Sequence, residues 1–344
     1  MKVGIIGCGA IARKRHAGEY KENPNAEIVG YYDFTPGRAR EMVDVFGGKV
    51  FNSVEEMLSD ASIDAVSVCV ANKYHAETTI AALKSGKHVL CEKPMATKLA
   101  DCEAMAAAAK AAGRRLLVGH NQRLAPAHVK AKQILDSGEL GRAISFQSTF
   151  GHRGPESWSV DQSANTWFFK KDAAEFGSMA DLGIHKLDLI RYLVGGKVKS
   201  LFSTLATLDK KFPDGTPIEV DDNSVEILTF ESGTIGTVTT SWTHYGEECN
   251  ATVLYCEKGI MKLYQHPQYS LEIAYSDGSK AHYEIGRMQT NEDSKQESSG
   301  VIDMFVGAVT TGVSTPLDAE DILESMRVVF ACAKSSAENA PVNL

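Results

Sequence analysis

Two short stretches hold the residues best suited to chemistry. In GSMADLGIHKLD (177–188), Asp181 and His185 stand four apart, so on a helix they share one face, with Asp188 on the same face. A carboxylate one turn before an imidazole can hold the ring in one tautomer and raise its basicity. In GKHVLCEKPMA (86–96), an apolar strand runs directly into Glu92, Lys93 and Pro94. Charged side chains are seldom fully buried unless paired. Glu92 and Lys93 therefore need solvent or each other, and the stretch either turns a corner or builds a site. An imidazole base and an ammonium would suit oxidation of a secondary alcohol. The base removes the hydroxyl proton within ~2.6–3.2 Å, and the ammonium stabilises the developing alkoxide. Either His185 or a buried Lys93 of lowered pKa could be the titrating base. The plain alternatives are a helix salt bridge for Asp181–His185 and a solvated turn for Lys93-Pro94. Asp188 reads as structural, and no Cys/His partner turns the cluster into a metal site.

The elements that must position these residues follow from periodicity. KVGIIG, AEIVGYYD, DAVSVCV, HVLCE and RLLVGH read as strands. Helical stretches over 37–47, 75–86 and 101–113 separate them. Near-continuous apolar strands alternating with helices predict a parallel, doubly wound sheet over residues 1–120. Residues 121–344 read as a second domain. A helix over 126–137, a strand over 141–150, a Trp- and Ser-containing loop and a helix over 179–194 precede a long antiparallel pattern. Hairpin signals fall at Ser232-Gly233, Lys258-Gly259 and Asp277-Gly278. Helices over 299–312 and 318–338 finish the chain, the last expected to pack back on the first domain. The polar stretch 286–300 reads as a mobile loop.

At the start of the chain, GIIGCGAIA sets Gly7-x-Gly9-x-x-Ala12 between a strand and a helix. The first glycine permits a tight turn, the second lets backbone approach a pyrophosphate, and the small third residue lets helix and strand pack closely. The helix N-terminus, with Ala10 and Ile11, offers free N–H groups to the phosphates. Asp33 ends the second strand, where an acid hydrogen-bonds the adenosine ribose. Its charge favours NAD over NADP, with Arg38 close by as the counterweight; the plain alternative for Asp33 is a cap on the Thr35–Arg38 turn. Weaker candidates for the substrate end are Asn121 and Arg123 in GHNQR, His152, Arg153 and Trp167 in the loop before the helix, and Trp242, His244 and Tyr245 at a strand end. Aromatic planes with polar donors suit a sugar ring, although Trp more often serves a core.

The chain has 344 residues, 43% hydrophobic and 23% charged, with a net charge of −8. That length suits two domains. No Lys/Arg stripe marks a nucleic-acid surface. Seven cysteines without a CxxC pair read as reduced thiols of a cytoplasmic protein. Neither a cleavable signal peptide nor a membrane-spanning run is evident.

With these parts assembled, the chain resembles the glucose–fructose oxidoreductase / inositol dehydrogenase / MocA family over nearly its whole length. The resemblance rests on Gly7-x-Gly9-x-x-Ala12, Asp33, ANKYH (71–75), CEKP (91–94) and GSMADLGIHKLD. One departure is visible: Phe176-Gly177-Ser178 stands where the family often has three glycines. The resemblance implies a Rossmann domain followed by an α+β domain with a large open, mostly antiparallel sheet. It implies NAD as cofactor, with Asn72, His75, Glu92, Lys93 and Asn121 beside it. Lys93, Asp181 and His185 are then the catalytic set, and Arg123, His152, Trp167 and Tyr245 join them around a sugar or cyclic polyol. The expected activity is NAD-dependent oxidation of a secondary alcohol. Family branches offer a glycosidase with transient oxidation by NAD, or a non-catalytic regulator, as alternatives. An open sheet face needs covering, so a homodimer or homotetramer is expected.

Overall fold

The structure, a computed structural model, describes residues 1–160, 162–287 and 298–344. Most of the loop expected over 286–300 lies outside the described residues. The first sheet comprises β1 (Lys2–Ile6), β2 (Glu27–Tyr32), β3 (Lys49–Val50), β4 (Ala65–Val68), β5 (His88–Cys91) and β6 (Leu116–Val118). Its order is β3-β2-β1-β4-β5-β6, with every pair parallel. All four residues of β4 are buried. Helices cover both faces of such a sheet, so its inner strands have no solvent side and read as unbroken apolar runs. The strand order reverses at β1, which pairs β2 on one side and β4 on the other. Ligands bind at the strand C-termini beside such a reversal.

The second sheet has nine strands: β7 (Ala143–Gly151), β8 (Val198–Ala206), β9 (Asn223–Phe230), β10 (Ile235–Ser241), β11 (Thr252–Cys256), β12 (Gly259–Leu263), β13 (Leu271–Tyr275), β14 (Lys280–Tyr283) and β15 (Val342–Asn343). Every pairing is antiparallel except β7 with β10. In β9 the even positions from Ser224 to Phe230 are buried while Val225 and Ile227 face outward, the period of two that a half-covered strand requires. The covering elements are the helix over 179–194 and the C-terminal helix, whose Met326 and Val329 join one core. Ile184, Leu187 and Ile190 of the first share it with Phe146, Leu228 and Val238 of the sheet.

The chain then crosses back. The helix Val301–Thr311 places Val301, Ile302 and Phe305 in a cluster with Val3, Ile5, Tyr20 and Leu90. A division at residue 120 assigns this helix to the second domain, but its apolar face completes the core of the first. The last helix, Ala319–Glu338, begins at Asp318, which bridges to Leu117 of β6.

Candidate active site

The cofactor half is built at the C-terminal edge of the first sheet. Gly7 has φ +93°, and a Cβ there would lie 2.5 Å from the Cys69 carbonyl; only glycine fits. Gly9 has nothing within 4 Å of a Cβ position, so the approach to its backbone stays open. A cavity of about 590 Å³ begins at these glycines, with Ala10 and Ile11, and runs past Asp33 and Arg38 to Asn72, Lys93, Asn121 and His185. Ala12 does not line it; wholly buried in the first core, it does the packing work of a small third residue. Asp33 accepts the Cys8 N–H at 2.7 Å and the Thr35 N–H at 2.7 Å. It therefore caps the neighbouring turn and also borders the cavity, and each oxygen keeps further acceptor capacity.

Three residues that line the cavity also hold the protein together. His75 lines the cavity, but its Nδ1 lies 2.6 Å from the Pro94 carbonyl and its Nε2 3.0 Å from that of Val70. Asn72 donates to the Ala174 carbonyl across the domain boundary at 3.3 Å. Glu92 pairs with His16 Nε2 at 2.8 Å and accepts the Lys93 backbone N–H at 3.2 Å. Burial pushes the Glu92 carboxyl up, but the His16 bond and the charges of His16, Lys93 and Arg15 outweigh it and bring it down to about 2. Glu92 and Lys93 thus form no side-chain ion pair among the described residues, although the Lys93 charge helps to lower the Glu92 carboxyl.

Lys93 instead reaches into the second domain. Its Nζ donates to Asp181 Oδ1 at 2.9 Å and to the Asp181 carbonyl at 2.9 Å. The other carboxylate oxygen accepts the Trp242 indole N–H at 3.0 Å, and His152 Nε2 lies 3.9 Å from it. Burial pushes Asp181 up, yet Lys93, His152 and the hydrogen bonds hold it below the ordinary carboxylate range. Asp181 sits in a wide, π-type turn, Met179–Gly183, that leads into the helix Ile184–Val194.

His185 corrects the sequence-based expectation. Asp181 makes no hydrogen bond to it among the described interactions, because the carboxylate is taken by the ammonium and the indole. His185 Nδ1 is buried without a hydrogen-bond partner among the described residues. Its ring stands 6.1 Å from those of His120 and Phe150. Burial first, then the charges of Lys93, His120 and Arg15, push it well below the ordinary histidine value. The imidazole's pKa is thus lowered by its surroundings rather than raised by a neighbouring acid.

Arg123 and Tyr245 do not line the cavity. Arg123 is 2% exposed; it clamps Asp188 with bonds of 2.7 and 2.6 Å, donates to the Pro316 carbonyl at 2.7 Å and pairs with Asp321. Asp188 also accepts from Ser325 at 2.6 Å, so this pair ties the helix to the C-terminal helix. Tyr245 is half exposed and bonds Asp209. Arg153 donates to the Tyr245 carbonyl at 3.2 Å, and the His244 ring lies against Gly151. His152 and Trp167 do border the cavity, Trp167 stacked on Phe168 at 3.8 Å. Sequence reasoning missed Trp158, Ser159 and Phe168 there. Trp158 Nε1, Ser159 Oγ and His152 Nε2 are buried without a hydrogen-bond partner among the described residues, an arrangement suited to ligand hydroxyls. Only the local density of Trp and Ser in an irregular loop hinted at them. Among the described residues no cluster of His, Cys, Asp and Glu could hold a metal ion, and all seven cysteines are unpaired.

The glycine loop of the first sheet and the Lys93, Asp181 and His185 group of the domain boundary thus line one cavity. Residues 1–120 match the family model described as "Oxidoreductase family, NAD-binding Rossmann fold", and residues 128–262 match the "GFO/IDH/MocA C-terminal domain". The chain belongs to the Gfo/Idh/MocA oxidoreductase family. It is 27% identical over 348 residues to a myo-inositol 2-dehydrogenase of Thermotoga maritima, covering 100% of this chain and 98% of that one. It is 30% identical over 268 residues to a levoglucosan dehydrogenase of Pseudarthrobacter phenanthrenivorans, covering 69% and 66%. A solved levoglucosan dehydrogenase in complex with NADH and L-sorbose superposes with a TM-score of 0.88 at 25% identity, covering 100% of this chain and 98% of that one.

Proposed function

We propose that this protein oxidises a secondary alcohol of a sugar or cyclic polyol, such as an inositol, with NAD as hydride acceptor. The observation that carries the reading is the Lys93 ammonium bridged to Asp181 and the buried His185 lining the same cavity, which opens at Gly7 and Gly9. The residues present fit the cofactor: Gly7 admits no side chain and Gly9 leaves its approach open. The backbone over 7–11 would hold the pyrophosphate, and Asp33 the adenosine ribose. When bound, NAD supplies the hydride acceptor.

His185, its Nδ1 buried without a hydrogen-bond partner among the described residues, takes the hydroxyl proton. Lys93 stabilises the charge that grows on the substrate oxygen. Asp181 and Trp242 hold the ammonium in place. The unpartnered His152, Trp158 and Ser159 atoms orient the remaining hydroxyls. Asp33 favours NAD, since its carboxylate repels a 2′-phosphate, against the pull of Arg38. Unpaired cysteines fit a reducing cytoplasm. Val225, Ile227 and Ile235 are about half exposed on one outward face of β9 and β10, which supports a homodimer or homotetramer closed over that sheet.

The test is to incubate the protein with NAD and a panel of sugars and cyclic polyols and follow NADH. Turnover of at least one polyol is expected. Tight NAD binding without turnover of any compound would defeat the reading.

A further inference from the structure

We infer that Asp221 and Ser178 are positioning residues of this active site: they clamp the turn carrying Asp181 and His185 to the end of the second sheet, and so set where those side chains meet Lys93. The inference rests on the catalytic assignment above.

Asp221 precedes β9 and is 7% exposed. Its carboxylate takes the Gly177 N–H at 2.8 Å on one oxygen, and the Ser178 hydroxyl at 2.7 Å and the Met179 N–H at 2.8 Å on the other. Its backbone carbonyl accepts the Ser178 N–H at 2.8 Å. Four hydrogen bonds thus tie one residue of the sheet edge to three consecutive residues at the entry of the catalytic turn. The two backbones meet so closely that a Cβ on Gly177 would lie 1.9 Å from the Asp221 carbonyl oxygen. The carboxylate faces the N-terminal end of a helix, where free N–H groups and the dipole favour negative charge.

The Ser178 hydroxyl makes a contact with the Asp221 carboxylate that neither glycine nor alanine could make. It is wholly buried. Thr240 Oγ1 of β10 lies 3.4 Å from it, and Ser224 of β9 lies 2.7 Å from Thr240. The clamp therefore joins the turn to both strands.

The same strand end controls Asp181 by two other routes. The Gly177 carbonyl accepts the Asp181 N–H at 3.0 Å. Trp242, two residues beyond Thr240, donates its indole N–H to the Asp181 carboxylate and its backbone N–H to the Asp222 carbonyl at 2.8 Å. Asp181 is thus held at its main chain by the clamped turn and at its carboxylate by the neighbouring strand. Sliding the turn against the sheet would pull these apart and carry the oxygens away from Lys93.

The test uses the full chain with Ser178→Ala and Asp221→Asn. Should Asp221→Asn fail to fold, Ser178→Ala keeps the carboxylate and both backbone donors and still carries the test. Turnover is expressed per NADH-binding site, counted by fluorescence titration, so that loss of folded protein does not count. A loss of roughly 10- to 100-fold in kcat is expected, the scale of a small misplacement at the reacting centre, with NADH affinity unchanged. A second readout needs no substrate. The chain has three tryptophans, so their indole N–H signals are few, and Trp242→Phe assigns the one that matters. Hydrogen exchange at Trp242 should quicken in both variants while Trp158 and Trp167 stay as they were. Unchanged Trp242 exchange overturns the inference, as does wild-type turnover per site. If the wild-type protein oxidises no polyol, the proposed activity falls but the exchange measurement still decides the clamp.

Discussion

Replacing Lys93 with methionine removes one ammonium and keeps most of the volume. Its consequences follow from what Asp181 would be left with. The carboxylate is 6% exposed, and without Lys93 it keeps the Trp242 indole at 3.0 Å and the distant His152. Breaking a buried pair by removing one partner costs about 3–5 kcal/mol. The cost depends on pH, and its sign can be worked out. In the wild-type protein the folded-state pKa of Asp181 is lowered, so the pair contributes stability that is present above the unfolded value of ~3.9 and lost as pH falls through the folded one. In the variant, burial dominates and the folded pKa lies above the unfolded value. Asp181 then contributes stability only at low pH and loses it as pH rises. The stability gap between variant and wild type should therefore be widest near neutrality, narrow as pH falls toward ~4, and close only below that, as the wild-type Asp181 is protonated through its lowered pKa; urea unfolding at several pH values measures it. Lys93→Met/Asp181→Asn should regain part of the loss at neutral pH, because no uncompensated charge is left buried. The kcat on a polyol substrate should fall ~10²–10³-fold, the scale of one lost electrostatic donor, with NADH binding kept. A stability gap independent of pH, or a double variant no more stable than Lys93→Met, would refute the reasoning.

His185 should titrate below its ordinary value, since burial and neighbouring cations lower its pKa. A base must be unprotonated to act, so the ascending limb of kcat/KM should lie below about pH 6.5. His185→Asn should remove that limb with a loss of ~10²–10⁴-fold; a limb that survives in His185→Asn and vanishes in Lys93→Met would make Lys93 the base. Asp33→Ala should weaken NAD by roughly tenfold, the value of one charge-assisted hydrogen bond, and narrow its preference over NADP; an unchanged NAD/NADP ratio would remove Asp33 from the ribose. Ile227→Glu, on the exposed face of β9, should shift sedimentation toward smaller species, and a wild-type protein that sediments as an active monomer would end the case for a closed sheet face.

The parallel, doubly wound class of the first sheet and the dinucleotide loop were legible because their signals are local. Gly7, Gly9 and Asp33 fall within one strand–helix–strand unit, and continuous apolar runs such as that of β4 mark strands with no solvent side. The clustering of Lys93 with Asp181 was legible only as two separate motifs; nothing local says that a lysine after β5 crosses to a helix of the other domain. Spacing put His185 beside Asp181, but partner choice depends on Trp242, some sixty residues on in sequence, which spacing cannot foresee. Arg123 looked available because a polar loop hid its burial under Asp188 and Asp321. Helix Val301–Thr311 joined the first core from the far end of the chain, where only its apolar periodicity, not its destination, could be read. Trp158 and Ser159 lie in irregular backbone, where no period assigns a side chain to a face.

The central claim is net hydride transfer from a substrate carbon. The most direct measurement supplies NAD with a turned-over polyol carrying deuterium on its alcohol carbons and follows the label by mass spectrometry. Deuterium is expected on the nicotinamide in stoichiometric amount with a ketone product, and this transfer should be lost in His185→Asn. Release of an altered sugar without labelled NADH, or no transfer while NAD binds tightly, would contradict it.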